Sequence, residues 1–261
     1  MKYLDNDVAR IHYNESREIE SSIERFSVLF QKNPWLTEPF RGMNHKASDL
    51  FSSGGFQLYS TVKKTTLFYD DESHCFFKVL HPLSLKHRIL FSITDRARAV
   101  YNTSEYLFLK GVHIQRFEVY GLLKIDGKPI FGMKKAEGES LYETLIVKRE
   151  NMSMREAHTV IDEMVRLHSL GYWFGDSHLS HFFRKDGRVT GIIDIEGIRK
   201  NRPFALRNLA RDIAGLIHPH LPFTQDDMRD LLDYYLTAAG ITQKKQFKKL
   251  LKHYTERRWK E

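Results

Sequence analysis

Residues 168–197 read HSLGYWFGDSHLSHFFRKDGRVTGIIDIEG, from His168 to Gly197. Asp176 follows Gly175 just past a helix that Gly171 ends, and Asp194 closes the apolar run Gly191-Ile192-Ile193. Between the two aspartates lie His178, His181 and the turn-forming Lys185-Asp186-Gly187. The pattern is helix, loop, short strand, tight turn, short strand, with a carboxylate leaving each end of the hairpin. Phosphoryl transfer uses two carboxylates in this way. One orients the attacking hydroxyl, and the other holds the Mg²⁺ that bridges the nucleotide phosphates.

The stretch resembles the catalytic core of kinase-like small-molecule phosphotransferases, which read H-G-D-x-x-x-x-N, a hairpin and then I-D. It resembles the lipopolysaccharide core heptose kinases of Gram-negative bacteria, with their G-D-x-H-x-x-N-F, D-G turn and I-I-D ending. The resemblance spans roughly residues 55–215 and is concentrated in 168–197. It implies an α+β, protein-kinase-like fold of two lobes: a small antiparallel-sheet N-lobe with one helix, then a mainly helical C-lobe. The activity it implies is ATP-dependent phosphorylation of a sugar hydroxyl with Mg²⁺ or Mn²⁺. Two residues depart from the family pattern. Phe174 stands where many relatives have His, and His181 stands where they have the metal-binding Asn.

The resemblance also assigns roles. Asp176 orients the acceptor hydroxyl and Asp194 chelates the metal. Lys78, leaving the strand Cys75-Phe-Phe-Lys78, contacts the nucleotide phosphates and pairs with Glu105. The backbone of Lys135 and Ala136, in the hinge segment 133–138, bonds the adenine, and Asp212 props up the catalytic loop. Glu196 either reaches a second metal or is a solvated loop carboxylate. For His181 three readings stand. It ligates the metal through nitrogen and shifts preference toward Mn²⁺, it leaves Asp194 and Glu196 to hold one metal alone, or the chain is a catalytically silent pseudokinase acting as a scaffold. His178 either packs under the loop or touches substrate. Zinc is not expected, because no histidine pair has the H-E-x-x-H spacing.

Composition sets the outer limits. The 261 residues, 41% hydrophobic and 13% aromatic, suffice for one two-lobed domain. The lone Cys75 rules out an internal disulfide, and its apolar strand context marks it as buried rather than reactive. No apolar run reaches the roughly 20 residues that span a bilayer, and a cytoplasmic protein is expected. The net charge of +8 suits an anionic partner. With no recognisable DNA or RNA module, nucleic acid is not expected, and an anionic sugar or lipopolysaccharide core acceptor is. Arg199, Lys200, Arg202, Arg207 and Arg211 would face such an acceptor, or form a solvated basic face. No feature fixes the oligomeric state.

Residues 1–55 read as an N-terminal helical extension and linker, 56–136 as the N-lobe and 137–261 as the C-lobe. Residues 1–13 show no pattern. Ile19, Ile23, Phe26 and Phe30 place one apolar face on a helix that Asn33-Pro34 stops, and 33–55 read as loop. Three strand-like runs follow from Phe56. The turn Val62-Lys63-Lys64-Thr65 lacks the glycines of a phosphate loop, leaving two lysines to supply charge there or to lie in solvent. Basic positions Lys86, Arg88, Arg96 and Arg98 precede a helix with Glu105 near its start. Two more strands turn at Asp126-Gly127. The C-terminal half is helical, with helices over 155–170, 203–217 (from Pro203) and 224–236, the last opened by Thr224 and Asp227 in a capping box. The basic helix over 241–261 carries Phe247, Leu250, Leu251 and Tyr254 on one side. That stripe packs on the fold or rests on an inner-membrane surface.

Overall fold

The computed structural model describes residues 1–39, 44–62, 64–85, 89, 91, 95–124, 127–201 and 205–259. Lys63, Lys86, Arg88, Asp126, Arg202 and Pro203, named above, lie outside the described residues. The class is the expected one, α+β. The chain forms two compact units, Met1–Glu105 with Arg116–Lys135, and Tyr106–Gln115 with Ala136–Glu261.

The first unit is built on a seven-stranded antiparallel sheet. Its strands are β1 (Lys2–Asp5), β2 (Ala9–Tyr13), β3 (Phe56–Val62), β4 (Thr65–Asp70), β5 (Cys75–Leu80), β6 (Phe117–Leu123) and β7 (Lys128–Lys134), in the order β1-β2-β6-β7-β5-β4-β3. Helix α1 (Arg17–Lys32) starts at Ser16, whose side chain accepts from the Ile19 N–H, and ends at Asn33. Its Ile19, Ile23, Phe26 and Phe30 share one core with Phe68 of β4 and Phe77 of β5. Phe26 lies edge-on to Phe77 at 5.4 Å and Phe30 to Phe68 at 5.9 Å. Full burial of each such side chain contributes about 1.5–3 kcal/mol.

These elements correct the reading of residues 1–55 as an extension and linker. The β1–β2 hairpin is part of the sheet, with β2 paired to β6, and α1 supplies the core. Residues 33–55 also contain helix α2 (His45–Ser53), capped by Asn44 and anchored by the buried Phe51. A four-residue strand with one half-exposed face and a nine-residue helix leave too few periods to be read from sequence.

Strand alternation gives the sheet two faces. Cys75, Phe77 and Val79 point into the α1 core, and burial pushes the Cys75 thiol up to about 11. Phe76 and Lys78 point the other way. On that second face His12, Tyr120, Phe131, Lys78 and Leu67 form one cross-strand row. Helix α3 (Arg96–Leu109) stacks Tyr101 on Tyr120 at 4.2 Å.

In the second unit, β8 (Glu139–Ser140) pairs with β10 (Phe182–Lys185), which pairs with β11 (Arg188–Ile192), while β9 (Tyr172–Trp173) pairs with β12 (Arg199–Lys200). The β10–β11 turn has both Asp186 and Gly187 at positive φ, the geometry that tight two-residue hairpins require. Helices α4 (Met154–Ser169), α5 (Leu206–Leu216), α6 (Gln225–Ala238) and α7 (Lys244–Arg258) make up the rest. The Thr224–Asp227 capping box forms as the sequence indicates, and Ser153–Glu156 makes a second one on α4. Residues Glu143–Val147 form a single π turn. Helix α7 buries Phe247 and Leu251 of its apolar stripe and packs on α5, while Leu250 and Tyr254 stay half-buried. Among the described residues no helix is long and apolar enough to cross a membrane.

Candidate active site

The loop carrying Asp176 is held from beneath by Asp212. This aspartate is wholly buried on α5 and accepts the backbone N–H of Phe174 and, at 3.0 Å, that of Gly175. Its own backbone carbonyl accepts from the buried Ser177 hydroxyl. A third donor to the carboxylate is His168 Nε2, at 3.2 Å, whose Nδ1 lies 2.7 Å from the Tyr235 hydroxyl. Burial, then the Asp212 charge, raises the Tyr235 phenol above its ordinary pKa, so it stays protonated. With its proton at Nε2, His168 donates to the Asp212 carboxylate while Nδ1 meets the Tyr235 hydroxyl. A buried carboxylate costs several kcal/mol unless its lone pairs are filled, and here they are.

Gly175 sits at φ +93°, and a Cβ there would come within 3.0 Å of the Gly197 carbonyl. Only glycine accommodates both constraints cheaply. This close approach packs the loop around Asp176 against the segment that follows Asp194. Asp176 itself is turned outward, with its side chain 70% exposed. Its recorded partner is Arg258, from the last turn of α7, with Nη1 3.3 Å from Oδ1. Beside it Trp259 donates to the Ala214 carbonyl, and its ring lies 4.6 Å from His218 and 6.1 Å from His178.

Asp194 adopts the left-handed conformation, φ 59° and ψ 37°. A non-glycine residue there stores of order 1 kcal/mol or more, less for Asp than for bulkier residues. Two backbone ladders set its position. The Ile193 N–H donates to the His181 carbonyl, and Ile192 exchanges hydrogen bonds with His113 and Gln115. The result places Asp194 Oδ2 3.7 Å from His181 Nε2. The His181 ring stacks on the buried Phe174 at 5.7 Å, so the two departures from the family pattern touch each other.

Glu196 is buried in the short 3₁₀ turn after Asp194 and is not a solvated loop carboxylate. His178 caps the 3₁₀ turn Leu179–His181, accepting from the Ser180 N–H at 3.1 Å. Burial, then His181 and Arg258, depress its pKa below the ordinary value. Among the described residues no three His, Cys, Asp or Glu side chains converge as a metal cage. The donor set at Asp194 and His181 fits a cation whose remaining ligands come from phosphates and water.

Lys78 and Glu105 belong to the first unit. Lys78 is half-buried on the second sheet face. Glu105 lies in the last turns of α3 rather than near its start, because the helix begins nine residues earlier, with Asp95 Oδ1 accepting from the Arg98 N–H. At that end of a helix an acidic side chain does not stabilise the helix dipole. The Glu105 carboxylate is gripped at both oxygens by Arg116, at 3.0 and 2.7 Å, a partner that sequence reasoning missed. Lys135 ends the first unit, its N–H donating to the His74 carbonyl, and the buried Ala136 opens the second. Arg199 and Lys200 lie exposed on β12, and the Arg211 guanidinium lies 6.0 Å from the Trp173 ring centre.

No family model and no curated protein matches the chain. Solved structures similar to it include WbdD bound to a kinase inhibitor, with TM-score 0.47, 12% identity, and coverage of 78% of this chain and 47% of that one. A second WbdD structure gives TM-score 0.46 and 13% identity, covering 77% and 50%. The PknI kinase domain of Mycobacterium tuberculosis gives TM-score 0.42 and 12% identity, covering 77% and 96%. The chain spans about half the length of the WbdD chains.

Proposed function

We propose that the chain is an ATP-dependent phosphotransferase acting on a sugar hydroxyl, as its resemblance to the lipopolysaccharide core heptose kinases implies. The observation that carries this reading is the loop at 174–177. A wholly buried carboxylate, Asp212, is used to hold two backbone N–H groups so that Asp176 stands outward in a fixed position. Such an investment suits a side chain whose orientation matters chemically. In this role Asp176 orients the acceptor hydroxyl and takes up its proton, assistance typically worth about 10²–10⁴ in rate. Asp194, with His181 beside it, would hold the divalent cation, which supplies charge neutralisation at the nucleotide phosphates. Lys78 would meet those phosphates. An anionic sugar fits the basic residues that follow Asp194. A cytoplasmic site of action, at the inner membrane surface where such acceptors are built, completes the proposal.

The test is thermal melting with ATP plus Mg²⁺ and with ATP plus Mn²⁺. A ligand that binds only the folded state raises the melting temperature by mass action. A metal-dependent rise that disappears in Asp194→Ala supports the reading. No rise with either metal sinks it and leaves the scaffold.

A further inference from the structure

Arg211 on α5 and Arg257 and Arg258 on α7 line one cup of about 270 Å³, with Ala214 and Tyr254 as its other walls. All five residues lie in the second unit. Elsewhere in the protein guanidinium groups sit on carboxylates at 2.6–2.8 Å: Arg25 on Asp70, Arg116 on Glu105, Arg166 on Glu163 and Arg184 on Glu150. The cup is different. Among the described residues Arg211 and Arg257 make no ion pair, and Arg258 has only the longer contact to Asp176. Three like charges in one concavity repel one another, and the one exposed carboxylate paired with Arg258 does not balance them. Arginines lining one concavity can offer the oxygens of a phosphate group paired N–H donors.

We propose that this cup seats a phosphate group already borne by the acceptor, and that seating it draws Arg258 away from Asp176. The word acceptor rests on the phosphotransferase reading; the phosphate seat rests on the geometry alone. The Arg258–Asp176 pair links the two. While Arg258 holds Asp176 Oδ1, that oxygen is not open to an acceptor hydroxyl. A phosphate in the cup offers Arg258 a stronger partner, and Asp176 is then free for the hydroxyl of the same molecule. The protein would thus use a mark on its substrate to release its own base.

The experiment uses the full chain without nucleotide, titrated with inorganic phosphate against sodium chloride at equal ionic strength, and reads the melting temperature. The expected result is a saturable rise with phosphate. Arg211→Gln combined with Arg257→Gln, both exposed positions, should weaken half-saturation at least tenfold while melting as the parent does in chloride. Asp176→Asn, which removes the competitor for Arg258, should tighten phosphate binding about threefold. A response no different from chloride, or unchanged binding in the double variant, overturns the seat. Unchanged or weaker binding in Asp176→Asn overturns the displacement of Arg258. A second arm offers phosphatidylglycerol vesicles. Capture by vesicles without binding of soluble phosphate makes the cup a lipid contact and overturns the proposal. Because no nucleotide is present, phosphate binding in a protein that ignores ATP would leave the seat standing and remove the phosphotransferase reading.

Discussion

His168 Nε2 lies 3.2 Å from Asp212 Oδ2, and neither side chain reaches solvent. The pair joins α4 to α5, and through Asp212 it fixes the backbone on which Asp176 rides. Asp212→Asn keeps the shape but turns an amide NH₂ toward groups that are themselves donors. Breaking a buried hydrogen-bonded charge in this way costs about 3–5 kcal/mol. Urea unfolding should show an unfolding free energy lowered by that amount, and amide exchange at Phe174 and Gly175 should rise with it.

Asp194 offers a way to separate backbone strain from chemistry. Asp194→Ala and Asp194→Gly both lose the carboxylate, so both should lose any metal-dependent nucleotide shift. They differ only at the left-handed backbone, where alanine is strained and glycine is not. The glycine variant should be about 1 kcal/mol more stable than the alanine variant in denaturant melts. Equal stabilities would mean that the φ of 59° imposes no strain.

His181 should set the metal preference. An imidazole beside Asp194 favours Mn²⁺ over the harder Mg²⁺. The nucleotide-dependent rise in melting temperature is expected to be larger with Mn²⁺ in the parent protein, and His181→Asn should bring Mg²⁺ level with it. If the variant keeps the parent's ratio, His181 does not ligate.

Stability should also fall on mild acidification. Burial comes first in lowering the pKa of both His178 and His218; neighbouring His181 and Arg258 add to the effect at His178, and His220 and His178 add to it at His218. An imidazole with a lower pKa when folded binds fewer protons in the native state than in the unfolded one. Its contribution is therefore complete above the ordinary value of 6.5 and declines as pH falls through the folded pKa. Denaturation midpoints should drop between pH 7.5 and 5.5, and less steeply in His178→Gln.

The parts of this architecture legible in the sequence are those with local signatures. The Asp186-Gly187 turn, the Thr224–Asp227 box and the apolar stripe of α1 all announce themselves within a few residues. The parts that escaped depend on distant partners. Nothing near Lys2–Tyr13 indicates that β2 pairs with a strand beginning at Phe117, because register is decided by the partner. Nothing near Glu105 points to Arg116, which follows a helix end and a turn. Arg258 stands 82 residues from Asp176, and its sequence context shows only a basic helix end. The resemblance singled out Asp212, but its burial and its tie to His168 appear only once α4 and α5 are packed.

The strand order of the first unit also bears on how the chain is made. β2 is completed at Tyr13, yet its inner neighbour in the sheet, β6, starts at Phe117. As the polypeptide emerges from the ribosome, the hairpin must wait for more than a hundred further residues, on the order of five to twenty seconds at usual elongation rates, whereas the phenylalanines of α1 wait only for β4 and β5. During that interval β2 presents an unpaired edge, a feature that invites association with other chains. A nascent chain stalled before residue 117 should therefore depend on chaperones, and one released after Lys134 should not.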